Sequence, residues 1–232
     1  MKPNSSIFLI SVSPQFNKDE IPRFQNFDAE NSYQLYSALT LNHKEILDSS
    51  FRSYQIAFCF DEKDITAVPD AFTNSQRELI FGSTLNRSNF VRTLSDKYFR
   101  PNCKSLLIFS HAIGIAAGDI QRAFNLLSIE DEAIVIGKSI SNCVAFIGFN
   151  SNNPELISEI DWNNLNFEYY LSKVNKHDNY VHVLGNFMSI NNLDDFKNLY
   201  AELSKKESLT YCSQIMHERF TNLFIEYKEL LK

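Results

Sequence analysis

Apolar positions along this chain follow two rhythms. Short unbroken runs at Ile7 to Val12, Tyr54 to Phe60, Ser105 to Ser110, Glu132 to Ile136 and Cys143 to Phe149 have the length and continuity of strands. Continuous apolar strands of this kind are buried on both faces of a parallel sheet. Between them the spacing turns helical: from Ala29 to Leu47 behind a capping Asp28, from Phe90 to Phe99 before Pro101, and from Ala117 to Leu127. The segment from Thr66 to Arg87 gives mixed signals. The order β-α-β-α-β-α-β-β contains no internal repeat, and Ser105 to Ser110, the most strand-like hexamer, is placed at the sheet centre.

Beyond Asn150 the pattern predicts short helices at Pro154 to Ile157 and Leu165 to Val174, a strand at Tyr180 to Leu184 and a helix at Leu193 to Leu203. In the tail, Leu209 to Leu231, residues Cys212, Met216, Phe220, Leu223, Tyr227 and Leu230 recur every three or four positions and form an amphipathic stripe. That stripe buries a face either on its own domain or on a second subunit or partner. The expected architecture is a single-domain three-layer α/β/α sandwich, Rossmann-like with a mostly parallel sheet. Residues 1–205 form the domain, and 206–232 form a C-terminal helical extension packed on it or on a partner.

Composition narrows the function. Hydrophobic residues at 44% and charged residues at 22%, with 20 Phe and 10 Tyr, supply a core and exclude disorder across the chain. A net charge of −6 gives no basic field to gather phosphate backbones, so no nucleic-acid partner is expected. No apolar run approaches the roughly 20 residues of a membrane helix, so no membrane partner is expected and the chain is read as cytoplasmic. Cys59, Cys103, Cys143 and Cys212 are scattered without metal or redox spacing and read as separate reduced thiols. His177, His182 and His217 share no ligand spacing. Six glycines in 232 residues leave little backbone suited to close approach of a ligand.

Open α/β sheets bind ligands beyond the carboxyl ends of their strands, which here carry Ser11, Ser13, Asp61, Ser110, His111, Gly137, Lys138 and the stretch Asn186 to Asn191. Enzymes of nucleoside polyphosphates place acidic side chains at this edge to hold Mg²⁺ or Mn²⁺. The central strand here runs into Ser110-His111-Ala112, the wrong ligand set for magnesium. No Walker loop, nucleophile elbow or Gly-x-Gly-x-x-Gly fingerprint is present.

At these strand ends the chain resembles, over roughly residues 6–203, the bacterial glycosyltransferase-A-like proteins of the selenodomain-associated transferase type, within the nucleotide-diphospho-sugar transferase superfamily. In place of that family's small-Asp-small-Pro strand end, Phe109-Ser110-His111-Ala112-Ile113-Gly114 has His111 where the acid would stand. The family's Gly-Pro-x-x-Asp-Gly-Gly-Tyr-Tyr-x-x-Gly block aligns without a gap on Gly137 to Gly148, and only the end glycines survive. Ser141 replaces the acid, Asn142 and Cys143 the paired glycines, and Val144 and Ala145 the aromatics. The Asp-x-Asp before the last helix becomes Ser189-Ile190-Asn191, followed by a retained Asp195-Phe196 pair, and Ile160-Asp161-Trp162 resembles the family's Trp segment. The N-terminal loop keeps only the proline of Ser11-Val12-Ser13-Pro14, and the family's basic phosphate clamp is absent unless Lys18 or Arg23 stands in.

The resemblance implies a glycosyltransferase-A fold whose acidic and basic ligand positions have been replaced. Candidate nucleotide-binding residues are Ser11, Ser13, Ser110, His111, Lys138 and Ser141. The one catalytic candidate is His111, which titrates near neutrality when unperturbed but can equally be a loop histidine bonded to backbone. Asp119 fits a helix first turn without catalysis, and Lys138 a solvated loop lysine. No metal ligand is expected, the family's acid positions being His111, Ser141, Ser189 and Asn191. Two readings follow: a catalytically degenerate binding or scaffold module, or an active metal-independent glycosyl- or nucleotidyltransferase using a nucleotide-sugar or NTP. No cofactor is expected in the first, and Mg or Mn enters only with the second. The partners are then a nucleotide or nucleotide-sugar, and a homodimer or protein partner through Leu209 to Leu231. Val144, Phe146, Ile113 and Phe187 are the candidates for filling the cleft of a degenerate site.

Overall fold

The computed structural model describes residues 5–83, 87–98, 103–150, 165–177 and 179–232. The continuous apolar runs form strands, and their alternate residues enter opposite layers, as a sheet covered on both faces requires. The strands are β1 (Ser5–Ile10), β2 (Gln55–Asp61), β3 (Glu78–Gly82), β4 (Lys104–Phe109), β5 (Ala112–Ile113), β6 (Ala133–Ser139), β7 (Val144–Phe149) and β8 (Tyr180–Ser189). They lie in the order β3-β2-β1-β4-β7-β6-β8-β5, with β4 interior as expected. Pairing is parallel from β3 to β4 and between β6 and β8, while β7 runs antiparallel to both neighbours and β5 antiparallel to β8.

The principal helices are α1 (Ala29–Ser50), α2 (Asp70–Thr73), α3 (Arg87–Tyr98), α4 (Ala117–Leu126), α5 (Phe167–Val174), α6 (Leu193–Leu203) and α7 (Gln214–Glu226). One face of the sheet sends Ile7, Leu9, Phe58, Phe60, Leu106 and Ile108 against α1, α2 and α4, where Leu47, Phe72 and Phe124 meet them. The other sends Phe8, Ile10, Cys59, Leu107 and Phe109 against α3 and α5, where Leu94, Phe167 and Tyr170 close the layer. The chain is therefore the three-layer α/β/α sandwich with a mostly parallel sheet that the pattern predicts. Asp28 caps α1 by accepting from Asn31 N–H.

The pattern missed two strands and shortened a third. β3 lies at the sheet edge, half-buried, in the segment of mixed signals, and β5 is only two residues long. β8 continues past Leu184 to Ser189, with an irregularity in its pairing to β6. Gly137 pairs with Leu184 but Ser139 with Phe187, and Asn186 takes a left-handed φ of 75°. The predicted helix at 154–157 and the segment 160–162 lie outside the described residues.

The tail is not one continuous helix. A 3₁₀ turn at Lys206–Thr210 precedes α7, whose apolar side docks on its own chain. Cys212, Met216, Phe220, Leu223 and Phe224 are buried with Leu35 and Leu39 of α1, Phe24, Phe27 and Phe196 in a third cluster. Gly137 and Gly148 both have packing reasons: a Cβ on Gly137 would come within 2.5 Å of the Phe146 ring, and one on Gly148 within 3.0 Å of Leu127.

Candidate functional site

The carboxyl ends of β1 and β4 lie side by side, so the loop after β1 is where a parallel sheet presents its ligand edge. Ser11 N–H bonds Cys59 O at 2.8 Å and Ser110 N–H bonds Ile10 O at 2.9 Å, which carries both serines just past their strands. Their hydroxyls turn inward. Ser11 Oγ donates to Ser13 O, and Ser110 Oγ accepts from Val12 N–H at 3.3 Å and from the buried Gln15 side chain, whose carbonyl in turn accepts from Thr40. The loop itself is clamped by Asp64. Successive N–H groups of Gln15, Phe16 and Asn17 all donate to its carboxylate, at 2.9–3.1 Å. Three consecutive amides converging on one anion form a nest of the kind that cradles phosphate oxygens, here filled by the chain's own side chain. Burial pushes the Asp64 carboxyl above its usual range, and the amide bonds pull it back only in part.

A second group of polar residues gathers at the ends of β6 and β8 and the start of α6. The β6–β7 turn stays tight because Asn142 takes the left-handed φ of 58° that a glycine would otherwise supply. The turn closes with Ser139 N–H on Cys143 O at 2.8 Å and Cys143 N–H on Ser139 Oγ at 2.9 Å. Ser141 Oγ lies 3.4 Å from Ser189 O, and Asn191 donates its side-chain amide to Cys143 Sγ at 3.4 Å. Asn192 caps α6 by accepting from Asp195 N–H, while Asp195 accepts from Asn191 N–H at 3.0 Å. Burial raises the Asp195 carboxyl and the Cys143 thiol above their ordinary ranges. A cavity of about 190 Å³ opens here, lined by Ile140, Ser141, Met188, Ser189, Asp195 and Asn198.

Three of the four positions that resemble family acids, Ser141, Ser189 and Asn191, therefore meet in one place. His111, 2% exposed, joins them through its backbone, its carbonyl accepting from Ile190 N–H at 2.9 Å. Lys138 stands apart: it lies within β6 rather than in a loop, 3.1 Å from Glu168 and over the Phe167 ring. Asp119 caps α4 through Ala116 N–H, and Lys18 pairs with Glu30. Of the suggested cleft fillers, Phe146 and Phe187 pack ring to ring at 5.2 Å, while Val144 and Ile113 are buried in two other clusters. Sequence reasoning missed Gln15, Thr40, Asp64 and Asn198. Asp64 had a signal, an acid soon after a strand end, but within Asp61-Glu62-Lys63-Asp64 it reads as a strand stop.

The donor set does not fit a divalent cation. Hard cations want several anionic oxygens, whereas this cluster offers serine hydroxyls, an asparagine, a thiol and one carboxylate already bonded to backbone. Among the described residues no group of three His, Cys, Asp or Glu side chains is arranged to hold a metal.

No protein-family model matches the chain, and no curated protein matches it. Solved structures do. A protein from Desulfovibrio desulfuricans G20, provisionally named a nucleotide-diphospho-sugar transferase, superposes with a TM-score of 0.74 at 19% identity, covering 100% of this chain and 97% of that one. Rv0371C from Mycobacterium tuberculosis H37Rv, solved in complex with manganese, gives 0.54 at 11% identity over 86% of this chain and 98% of that one. The 4-diphosphocytidyl-2C-methyl-D-erythritol synthase of Anaerococcus prevotii DSM 20548 gives 0.52 at 14% identity over 87% and 96%. At these identities the fold is what is shared, and this chain has the Rossmann-like α/β fold of the nucleotide-diphospho-sugar transferase and nucleotidyltransferase type.

Proposed function

We propose that this chain is a catalytically degenerate member of that fold type, acting as a binding or scaffold module rather than as a metal-dependent transferase. One observation carries the reading: the amide nest after β1, the natural seat for a nucleotide's phosphates, holds Asp64. A phosphate entering it would have to displace a buried carboxylate that already satisfies three amides. The neutral residues at the family's acid positions support the same conclusion, since the electrostatic stabilisation of a departing diphosphate needs charge that they lack. All four cysteines are free thiols, which suits a reducing cytoplasmic setting. A protein partner of the terminal segment, or a second copy, would meet the outward Leu209, Ile215 and Ile225.

Thermal shift and titration calorimetry with nucleoside di- and triphosphates and nucleotide sugars, with and without Mg²⁺ or Mn²⁺, test this reading. A ligand of the native state at 100 times its Kd adds about 2.7 kcal/mol of stability. The expected result is no metal-dependent stabilisation by any of them. Metal-dependent binding of a nucleotide sugar overturns the reading, and turnover without metal establishes the metal-independent transferase instead.

A further inference from the structure

Helix α7 carries two stripes. Met216, Phe220, Leu223 and Phe224 are buried with α1, whereas His217, Thr221 and Ile225, at four-residue steps, follow the adjacent side and line a groove shared with α6. The groove encloses about 590 Å³, within the roughly 300–1,000 Å³ of small-molecule sites. Leu203 and Phe224, each 7% exposed, lie deepest, with the Tyr200 ring edge-on to Phe224 at 5.1 Å, and Ile225 and Leu231 complete the apolar lining. Tyr200 is 46% and Ile225 64% exposed, so both helices show apolar surface to solvent in one place, the mark of an interaction site.

The polar groups of the lining are mostly engaged within the chain. Ser204 Oγ donates to Tyr200 O and Thr221 Oγ1 to His217 O, each at 2.8 Å, His217 Nε2 lies 3.0 Å from Ser208 Oγ, and Lys232 pairs with Glu229 at 2.5 Å. Burial lowers the His217 pKa and keeps its ring neutral. Lys228 differs: it is exposed, stands just past the end of α7 and has no acidic partner among the described residues, and no Asp or Glu lines the groove. The result is an apolar trough with one unneutralised positive charge at its end. From His217 to Ile225 the helix advances eight residues, about 12 Å at 1.5 Å per residue. That is the span of roughly nine methylenes, at about 1.3 Å per carbon along an extended chain.

We propose that the α6–α7 groove binds a free medium-chain fatty acid, its carboxylate against Lys228 and its chain along Tyr200, Leu203, Phe224 and Ile225. The net charge of −6 works against anions at large, so a preference for one here comes from Lys228. No residue of the strand-end clusters lines the groove, so the proposal is independent of what binds at that edge.

Titration calorimetry of the full chain with octanoate and decanoate, below their micelle concentrations, tests the proposal beside octanol, octylammonium and acetate. One fatty acid per chain is expected to bind with a Kd below about 1 mM, octanol about fivefold more weakly for want of the ion pair, and acetate and octylammonium not at all. Lys228→Glu should weaken octanoate about tenfold while Lys228→Arg retains it, and Ile225→Asp should abolish binding by placing a like charge in the trough. Both side chains are exposed, so the urea midpoints of these variants should match that of the parent. Silence from both acids overturns the proposal. So does octanol or octylammonium binding as tightly as octanoate, or an affinity that either Lys228→Glu or Ile225→Asp leaves unchanged. A ligand-free dimer in sedimentation that Ile225→Asp dissolves gives the groove to a second copy and overturns it as well.

Discussion

His43 sits in the middle of α1, 1% exposed, with Nε2 2.7 Å from the carbonyl of Ala112. A carbonyl only accepts, so Nε2 carries the hydrogen, and burial holds the ring neutral by lowering its pKa from 6.5 to about 4. The folded pKa lies below the unfolded one, so the unfolded chain binds a proton first as pH falls. Stability is therefore full above pH 6.5 and declines between 6.5 and about 4, by as much as about 3 kcal/mol. Urea melts across that window are expected to show this decline, and His43→Asn is expected to flatten it while costing about 1 kcal/mol at neutral pH through the loss of the Ala112 bond. An undiminished slope in the variant would move the acid sensitivity to another group. His111, the histidine that draws attention in the sequence, is buried beside the β5 turn, while His43, hidden in a helical pattern, is held neutral by burial.

The loop after β1 is an element held by one side chain. Asp64→Ala leaves the amides of Gln15, Phe16 and Asn17 without their acceptor, and entry of water repairs this only in part. A loss of about 2–4 kcal/mol is expected in denaturant melts, with a smaller loss for Asp64→Asn, which keeps one carbonyl oxygen. Protection of those three amides in hydrogen exchange should fall in step, and unchanged protection would show that the clamp does not hold the loop. The clamp also shows where sequence reading runs out. β1, β2, β4, β6 and β7 were legible because both faces of each are buried, which leaves unbroken apolar runs. β3, half-buried at an edge, and β5, two residues long, leave no such run. Within the site, Ser141, Ser189 and Asn191 were singled out by the family resemblance, and the structure brings them to one place. Asp64 and Gln15, 49 residues apart, meet only because parallel pairing sets β1 beside β2, which no local pattern reports.

At the scale of the whole molecule, the terminal segment behaves as part of the core and not as an appendage. It is tied to α1 along the helix: Asn42 donates to Tyr211 O at 2.9 Å, Ser213 to Glu45 at 2.5 Å, and Asn31 to Tyr227 Oη at 3.1 Å, while the Tyr227 and Phe27 rings stack at 3.9 Å. Burial of Met216, Phe220, Leu223 and Phe224, each at most 7% exposed, contributes about 1.5–3 kcal/mol per side chain. Their sum, an upper estimate on the order of 10 kcal/mol, matches the roughly 5–15 kcal/mol by which a typical domain is stable. Removing them also uncovers Leu35, Leu39, Phe24, Phe27 and Phe196, which face the same cluster. A fragment ending at residue 205 is therefore expected to lose its cooperative urea transition and to bind a hydrophobic dye, whereas the full chain melts in one step. Adding the 206–232 peptide in trans should restore the transition in a concentration-dependent way. A fragment with the midpoint and slope of the full chain would instead make residues 1–205 an independent domain and free the α7 stripe for a partner.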